Sequence, residues 1–139
     1  MTHCVLILGD SPAVRHHLSL LVAAQPGWKV VGEMTCEKAM AGSPLAPSPD
    51  IVISELNRID ASMIPMISAI HGLYGGSKLL AVSAQRDSRL VLRFIHSGAD
   101  GFMITDRARE EIVTAIETIA AGGMFLSPGI AGLEGRQPR

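Results

Sequence analysis

A chain of 139 residues has room for one domain with a real core, and 47% hydrophobic against 18% charged residues excludes a disordered polymer. The net charge of −1 supplies no basic field that would favour nucleic acid or an anionic membrane. No apolar run nears the roughly 18 residues of a bilayer span, and MTHCVLILGD shows no basic leader or cleavage site, so a cytoplasmic location without a membrane partner is expected.

Strand and helix patterns alternate along the chain. Cys4 to Leu8 is an apolar run stopped by Gly9-Asp10, after which Ser11 reads as an N-cap and Pro12 as the first helical residue. Val14, Leu18, Leu21 and Val22 then form one apolar helical face that ends near Pro26-Gly27. Trp28 to Met34 reads as the second strand, followed by a short helix from about Glu37 and the Pro-rich loop GSPLAPSP. Ile51 to Ser54 is the third strand, and a helix is expected from Ser62 to Leu73, with Pro65 confined to its start.

Leu79 to Ser83 is the fourth strand. Asp87 or Ser88 caps a helix carrying Leu90, Val91, Phe94 and Ile95, which ends at Gly98. Gly101 to Ile104 is the fifth strand, and Asp106 is expected to cap a last helix with Ile112, Ile116 and Ile119 facing inward, ending at Gly122-Gly123. The domain is expected over residues 3–126, with 127–139 a flexible tail. Cys4 and Cys36 show no metal or redox spacing and are expected near opposite edges of the sheet, unpaired.

Such alternation implies an α/β fold with a parallel sheet covered by helices on both faces. Function in such sheets gathers at the carboxyl ends of the strands, here Asp10, Glu55, Ser83 and Thr105. The segments VLILGDSPAVRHHL, PDIVISEL, LLAVSAQRD, SGADGFMITD and AAGGMFLSP follow in order at spacings that resemble the receiver domain of bacterial two-component response regulators. The likeness covers about residues 3 to 128 and is greatest to regulators with a LuxR-type helix-turn-helix output. It implies a flavodoxin-like (CheY-like), five-stranded sheet of order 2-1-3-4-5.

Against that pattern Glu55 stands at the phospho-acceptor aspartate, and Gly9 replaces the first of two adjacent acids while Asp10 keeps the second. Ser83 matches the hydroxyl residue, Phe102 the switch aromatic, and Thr105 the position of the lysine. The loop NRIDASM places Arg58, Ile59 and Met63 where Met-Pro and a Gly are usual. Phosphoryl transfer to a carboxylate rests on positioning and charge neutralisation. Glu55 moves the oxygen outward by roughly 1.5 Å, and a misplacement of about 1 Å costs on the order of 100-fold in rate. Mg²⁺ binding is therefore expected to be weak or absent, with Asp10, Glu55 and Asn57 its weak candidates, and no cofactor is expected.

Two close carboxylates repel, which Arg58 or Arg86 is expected to relieve. Each site residue also has a plainer role: Ser83 in a turn, Phe102 in the core, Asp10 as a helix cap, His16 and His17 on a solvated face. The resulting expectation is a phosphorylation-independent receiver, not an enzyme, acting as a protein-interaction module. Its partner, a second copy or a separate protein, would dock on the fourth and fifth helices near Arg86, Arg89 and Arg93. Two alternatives stand: a receiver with weakened Mg²⁺-dependent phosphotransfer, and a small ligand-binding domain or enzyme using the strand-end crevice. DNA binding is not expected within this chain, read as a stand-alone receiver or a piece of a longer regulator.

Overall fold

The computed structural model describes residues 3–45, 47–56, 61–85, 87–128 and 130. In chain order the elements are β1 (His3–Gly9), α1 (Pro12–Ala23), β2 (Trp28–Met34), α2 (Cys36–Ala41), β3 (Ile51–Glu55), α3 (Ile64–Leu73), β4 (Lys78–Ser83), α4 (Ser88–His96), β5 (Gly101–Ile104), α5 (Ala108–Ala120) and β6 (Phe125–Leu126). Short 3₁₀ turns, Ala61–Met63 and Thr105–Arg107, lead into α3 and α5.

The caps explain where the helices begin. Ser11 Oγ accepts from the Val14 N–H at 3.3 Å, with Pro12 opening α1 where its missing N–H costs nothing. Thr35 Oγ1 accepts from Lys38 N–H at 3.0 Å, so α2 starts at Cys36, one residue before the expected Glu37. Asp87 Oδ1 accepts from the N–H groups of both Arg89 and Leu90, which settles the choice of cap for α4. The expected Asp106 cap is displaced: Thr105–Arg107 winds as 3₁₀, and Arg107 occupies the N-cap position of α5. The expected start of α3 at Ser62 likewise lies in a 3₁₀ turn, and the α-helix proper begins at Ile64.

The sheet is parallel throughout, in the order β2-β1-β3-β4-β5-β6. Alternation along the strands sends Val5, Ile7, Ile51 and Ile53 to one face, where they pack with Leu18 and Val22 of α1 and Ile112, Ile116 and Ile119 of α5. Leu6, Leu8 and Val52 face the other way, toward Ala39 of α2, Ile67 and Ile70 of α3, and Val91 and Phe94 of α4. Burial on both faces is why these strands read as unbroken apolar runs.

The sixth strand corrects the expected five. It has only two residues, too few to show a period, and it lies within the segment AAGGMFLSP. Its room comes from Gly101, where a β-carbon would sit 2.8 Å from the Phe125 carbonyl oxygen. Packing also passes the expected boundary at residue 126. The Ser127 N–H donates to the Phe102 carbonyl at 3.0 Å, its Oγ accepts from Ile104 N–H and donates to Glu111 Oε1, and Ile130 is fully buried. Of the expected tail, residues 129 and 131–139 lie outside the described residues. Cys4 and Cys36 are free as expected, but they lie at opposite ends of adjacent strands rather than at opposite sheet edges.

Gly101→Ala is expected to cost about 1 to 3 kcal/mol, as overpacking at a backbone contact does. Urea melts measure the loss, and faster hydrogen exchange at the Ser127 amide would locate it at β6.

Candidate functional site at the carboxyl ends of the strands

The parallel register gathers the expected site residues on one edge of the sheet. Gly9 at the end of β1 lies opposite Glu55 at the end of β3, Glu55 lies opposite Val82 on β4, and Ser83 lies opposite Ile104 on β5. Asp10 and Thr105 follow directly on β1 and β5. Phe102 belongs to β5 itself, is fully buried, and stacks on Phe94 of α4 with ring centroids 6.4 Å apart.

Glu55 does not project outward as the extra carbon suggested. It is only 4% exposed, and the Ser11 N–H at the start of α1 donates to its Oε1 at 3.3 Å. The carboxylate lies back over Gly9: a β-carbon on Gly9 would stand 2.7 Å from Glu55 Oε1 and 2.9 Å from its Cβ. The absence of a side chain at position 9 and the glutamate at position 55 are thus one steric arrangement. Volume pairs Gly9 with Glu55.

Arg15 supplies the cation that the sequence reading sought elsewhere. Its guanidinium donates through Nη1 to the Gly9 carbonyl, and its Cγ would lie 3.4 Å from a β-carbon at that glycine. Its Nε is buried with no hydrogen-bond partner among the described residues. The signal for it was its place: a cation in the opening turns of a helix opposes the helix dipole and calls for a nearby anion. Arg58 and Arg86, the expected compensating cations, and Asn57 lie outside the described residues.

Burial pushes the Glu55 carboxyl above its ordinary range, and the neighbouring Asp10 charge adds to the rise. The Ser11 N–H and the Arg15 charge act the other way, holding the ionised form. Ser83 is fully buried, and its Oγ accepts from the Gln85 N–H at 3.1 Å, the plainer turn role. Thr105 is half-buried and opens the 3₁₀ turn before α5.

Among the described residues the donor set does not fit Mg²⁺. That ion asks for near-octahedral oxygen ligation, whereas Asp10 is a single exposed carboxylate and Glu55 is turned onto Gly9 and Ser11. Among the described residues no group of three or more His, Cys, Asp or Glu is placed to hold a metal ion. One further residue completes the edge. Cys36 at the start of α2 is buried with its Sγ 3.5 Å from Ser54 Oγ, and burial raises its thiol pKa, a rise that the Ser54 contact opposes and that Asp10 and Glu55 reinforce.

The comparisons agree with this architecture. No protein-family model matches the chain. It is 25% identical over 129 residues to a nitrate/nitrite response regulator protein homolog of Haemophilus influenzae, covering 93% of this chain and 62% of that protein. To the transcriptional regulatory protein UhpA of Escherichia coli it is 28% identical over 128 residues, covering 91% of this chain and 63% of the relative. The chain therefore spans less than two thirds of these relatives. A solved two-component response regulator of the LuxR family from Aurantimonas sp. SI85-9A1 superposes with a TM-score of 0.80 at 29% identity, covering 94% of both chains. The isolated receiver domain of RcsB from Salmonella, solved with the phosphomimetic BeF₃⁻, gives 0.78 at 15% identity over 96% of this chain and 99% of that one, a likeness of fold alone. The relatives and structural neighbours are receiver domains of LuxR/NarL-type response regulators, and this chain has the α/β receiver fold.

Two predictions follow from the Gly9–Glu55 contact. Gly9→Asp alone should destabilise the fold by about 1 to 3 kcal/mol, whereas Gly9→Asp with Glu55→Asp should recover much of that loss. A double-mutant cycle by urea denaturation reads the coupling, and simple additivity would refute the contact. The second concerns pH. A raised folded-state pKa means that the folded chain holds the Glu55 proton more tightly than the unfolded one. Stability from this group is then fully present below the ordinary value of 4.5 and lost as pH rises through the folded value. Melts from about pH 4 to pH 7 should show the parent losing stability relative to Glu55→Gln over that interval; a flat difference would rule the shift out.

Proposed function

We propose that this chain is a receiver-type signalling module that works without phosphorylation and is not an enzyme. The observation that supports this reading is the packing of Glu55, buried over Gly9 and bonded to the Ser11 N–H, at the position that resembles a phospho-acceptor. A nucleophile must approach its phosphodonor in line and with its charge neutralised by metal and lysine. Here the carboxylate faces the start of α1, and Thr105 stands where a lysine would anchor the phosphoryl group.

In this reading the Glu55 carboxylate is a fixed negative charge in place of a reversible one. It carries one charge against about 1.5 to 2 for a phosphoryl group, so it holds one state of the site rather than switching between two. The state is passed on through β5 to α4, where Phe102 and Phe94 stack in the same core. Arg89, Arg93 and His96 are exposed on α4 and, with α5, offer the docking face for a second copy or a separate protein. Among the described residues no helix is long and apolar enough to cross a membrane.

The deciding experiment is incubation with acetyl phosphate and Mg²⁺ followed by intact-mass analysis. No phosphoryl adduct is expected on the parent; an adduct mapped to Glu55 would overturn the reading in favour of weakened phosphotransfer. Association is tested by light scattering with Arg89→Glu/Arg93→Glu, which should weaken self-association or partner binding by about tenfold or more if both arginines sit in the interface. Glu55→Gln should shift that same association, since it removes the charge and keeps the shape. An unchanged association would leave Glu55 as packing only.

A further inference from the structure

An open hollow of about 610 Å³ lies between α2 and α3, beside the strand-end site. Its walls are Met40 and Ala41 from α2, Met63 from the 3₁₀ turn, and Pro65 and Met66 from α3. Cys36 lines it as well, its thiol buried and drawn toward Ser54. The volume is that of small-molecule sites, about 300 to 1,000 Å³, which are also mostly apolar with a few polar groups. Methionine thioethers adapt to irregular apolar ligands. Met40 is 42% exposed, and among the described residues only it and Leu20 are large hydrophobic side chains left so open.

Among the described residues the polar lining has one sign. Asp10 and Glu37 are both exposed carboxylates, and no lysine, arginine or histidine lines the hollow among the described residues. Among the described residues two carboxylates without a third ligand do not make a metal cage, and their charge disfavours an anion. We propose that this hollow binds a small apolar molecule bearing one positively charged nitrogen, its body against Met40, Met63 and Met66 and its charge against Asp10 and Glu37.

Such a ligand would report to the site already described. The Asp10 charge disfavours ionisation of Glu55, so a cation held at Asp10 offsets that repulsion and steadies the Glu55 carboxylate against Gly9. Occupancy of the hollow would then be an input in place of phosphate. The binding itself does not depend on the phosphorylation-independent reading and is measured without reference to it.

The test uses the full chain labelled at the methionine methyls with ¹³C, titrated with octylammonium below its micelle concentration and separately with octanoate. Saturable shifts are expected at Met40, Met63 and Met66, with Met103, fully buried on the opposite face of the sheet, unmoved. Octanoate should bind about tenfold more weakly or worse, the size of one nearby charge pair partly exposed to water. Glu37→Gln, at an exposed position, should narrow the difference between the two probes while the rest of the spectrum stays unchanged. Absence of saturation, equal binding of the two probes, or shifts spread over all the methionines would each overturn the proposal. Binding only of a basic amphipathic peptide, and not of octylammonium, would overturn it in favour of a protein partner.

Discussion

One close approach governs the strand-end site: the Glu55 side chain occupies space that exists only because Gly9 has no β-carbon. The two residues sit directly opposite one another on β1 and β3, so the register of the sheet leaves no slack to separate them. A strand pair of this kind is held by flanking rows of buried Val, Leu and Ile on both faces, which cannot shift without opening the core. The surplus methylene of glutamate is therefore accommodated by turning inward, where the N–H of Ser11, the N-cap of α1, and the Arg15 charge meet it.

That inward turn rearranges the electrostatics of the whole edge. A helix N-terminus favours negative charge, and Glu55 uses it. Arg15 bonds the Gly9 carbonyl and lowers the cost of the buried carboxylate. Asp10, the remaining acid, is left exposed and faces the methionine-lined hollow rather than a shared ligand. The site thus holds a buried carboxylate between a helix N-cap and a guanidinium that is bonded to a backbone carbonyl.

Much of the fold was legible because local signals and burial agree. β2 and β5 run over the spans their patterns predicted, and the inward isoleucines of α5 are buried as its periodicity required. What was not legible depends on contacts distant in sequence. β6 is too short to carry a pattern and is specified by a glycine on another strand. The direction of the Glu55 side chain could not follow from counting carbons, since it is set by a residue 46 positions away. Arg15 was overlooked among the solvated residues of α1 because only the folded chain brings that helix onto the Gly9 carbonyl. The 3₁₀ turn that displaced Asp106 from its capping role is a choice of hydrogen-bond ring that composition does not encode.

The shape of the sheet's two borders has a consequence for the protein's behaviour in concentrated solution. On one side β6 closes the ladder with two residues, offering almost no length on which a foreign strand could grow. On the other, β2 breaks register against β1 between Val5 and Leu6, and Lys29 and Glu33 point outward as charges. A long flat edge invites edge-to-edge growth into fibres; a stub and a bulged, charged ribbon do not. The chain keeps a nearly continuous apolar sheet, rich in the residues that build amyloid, yet presents neither border as a template.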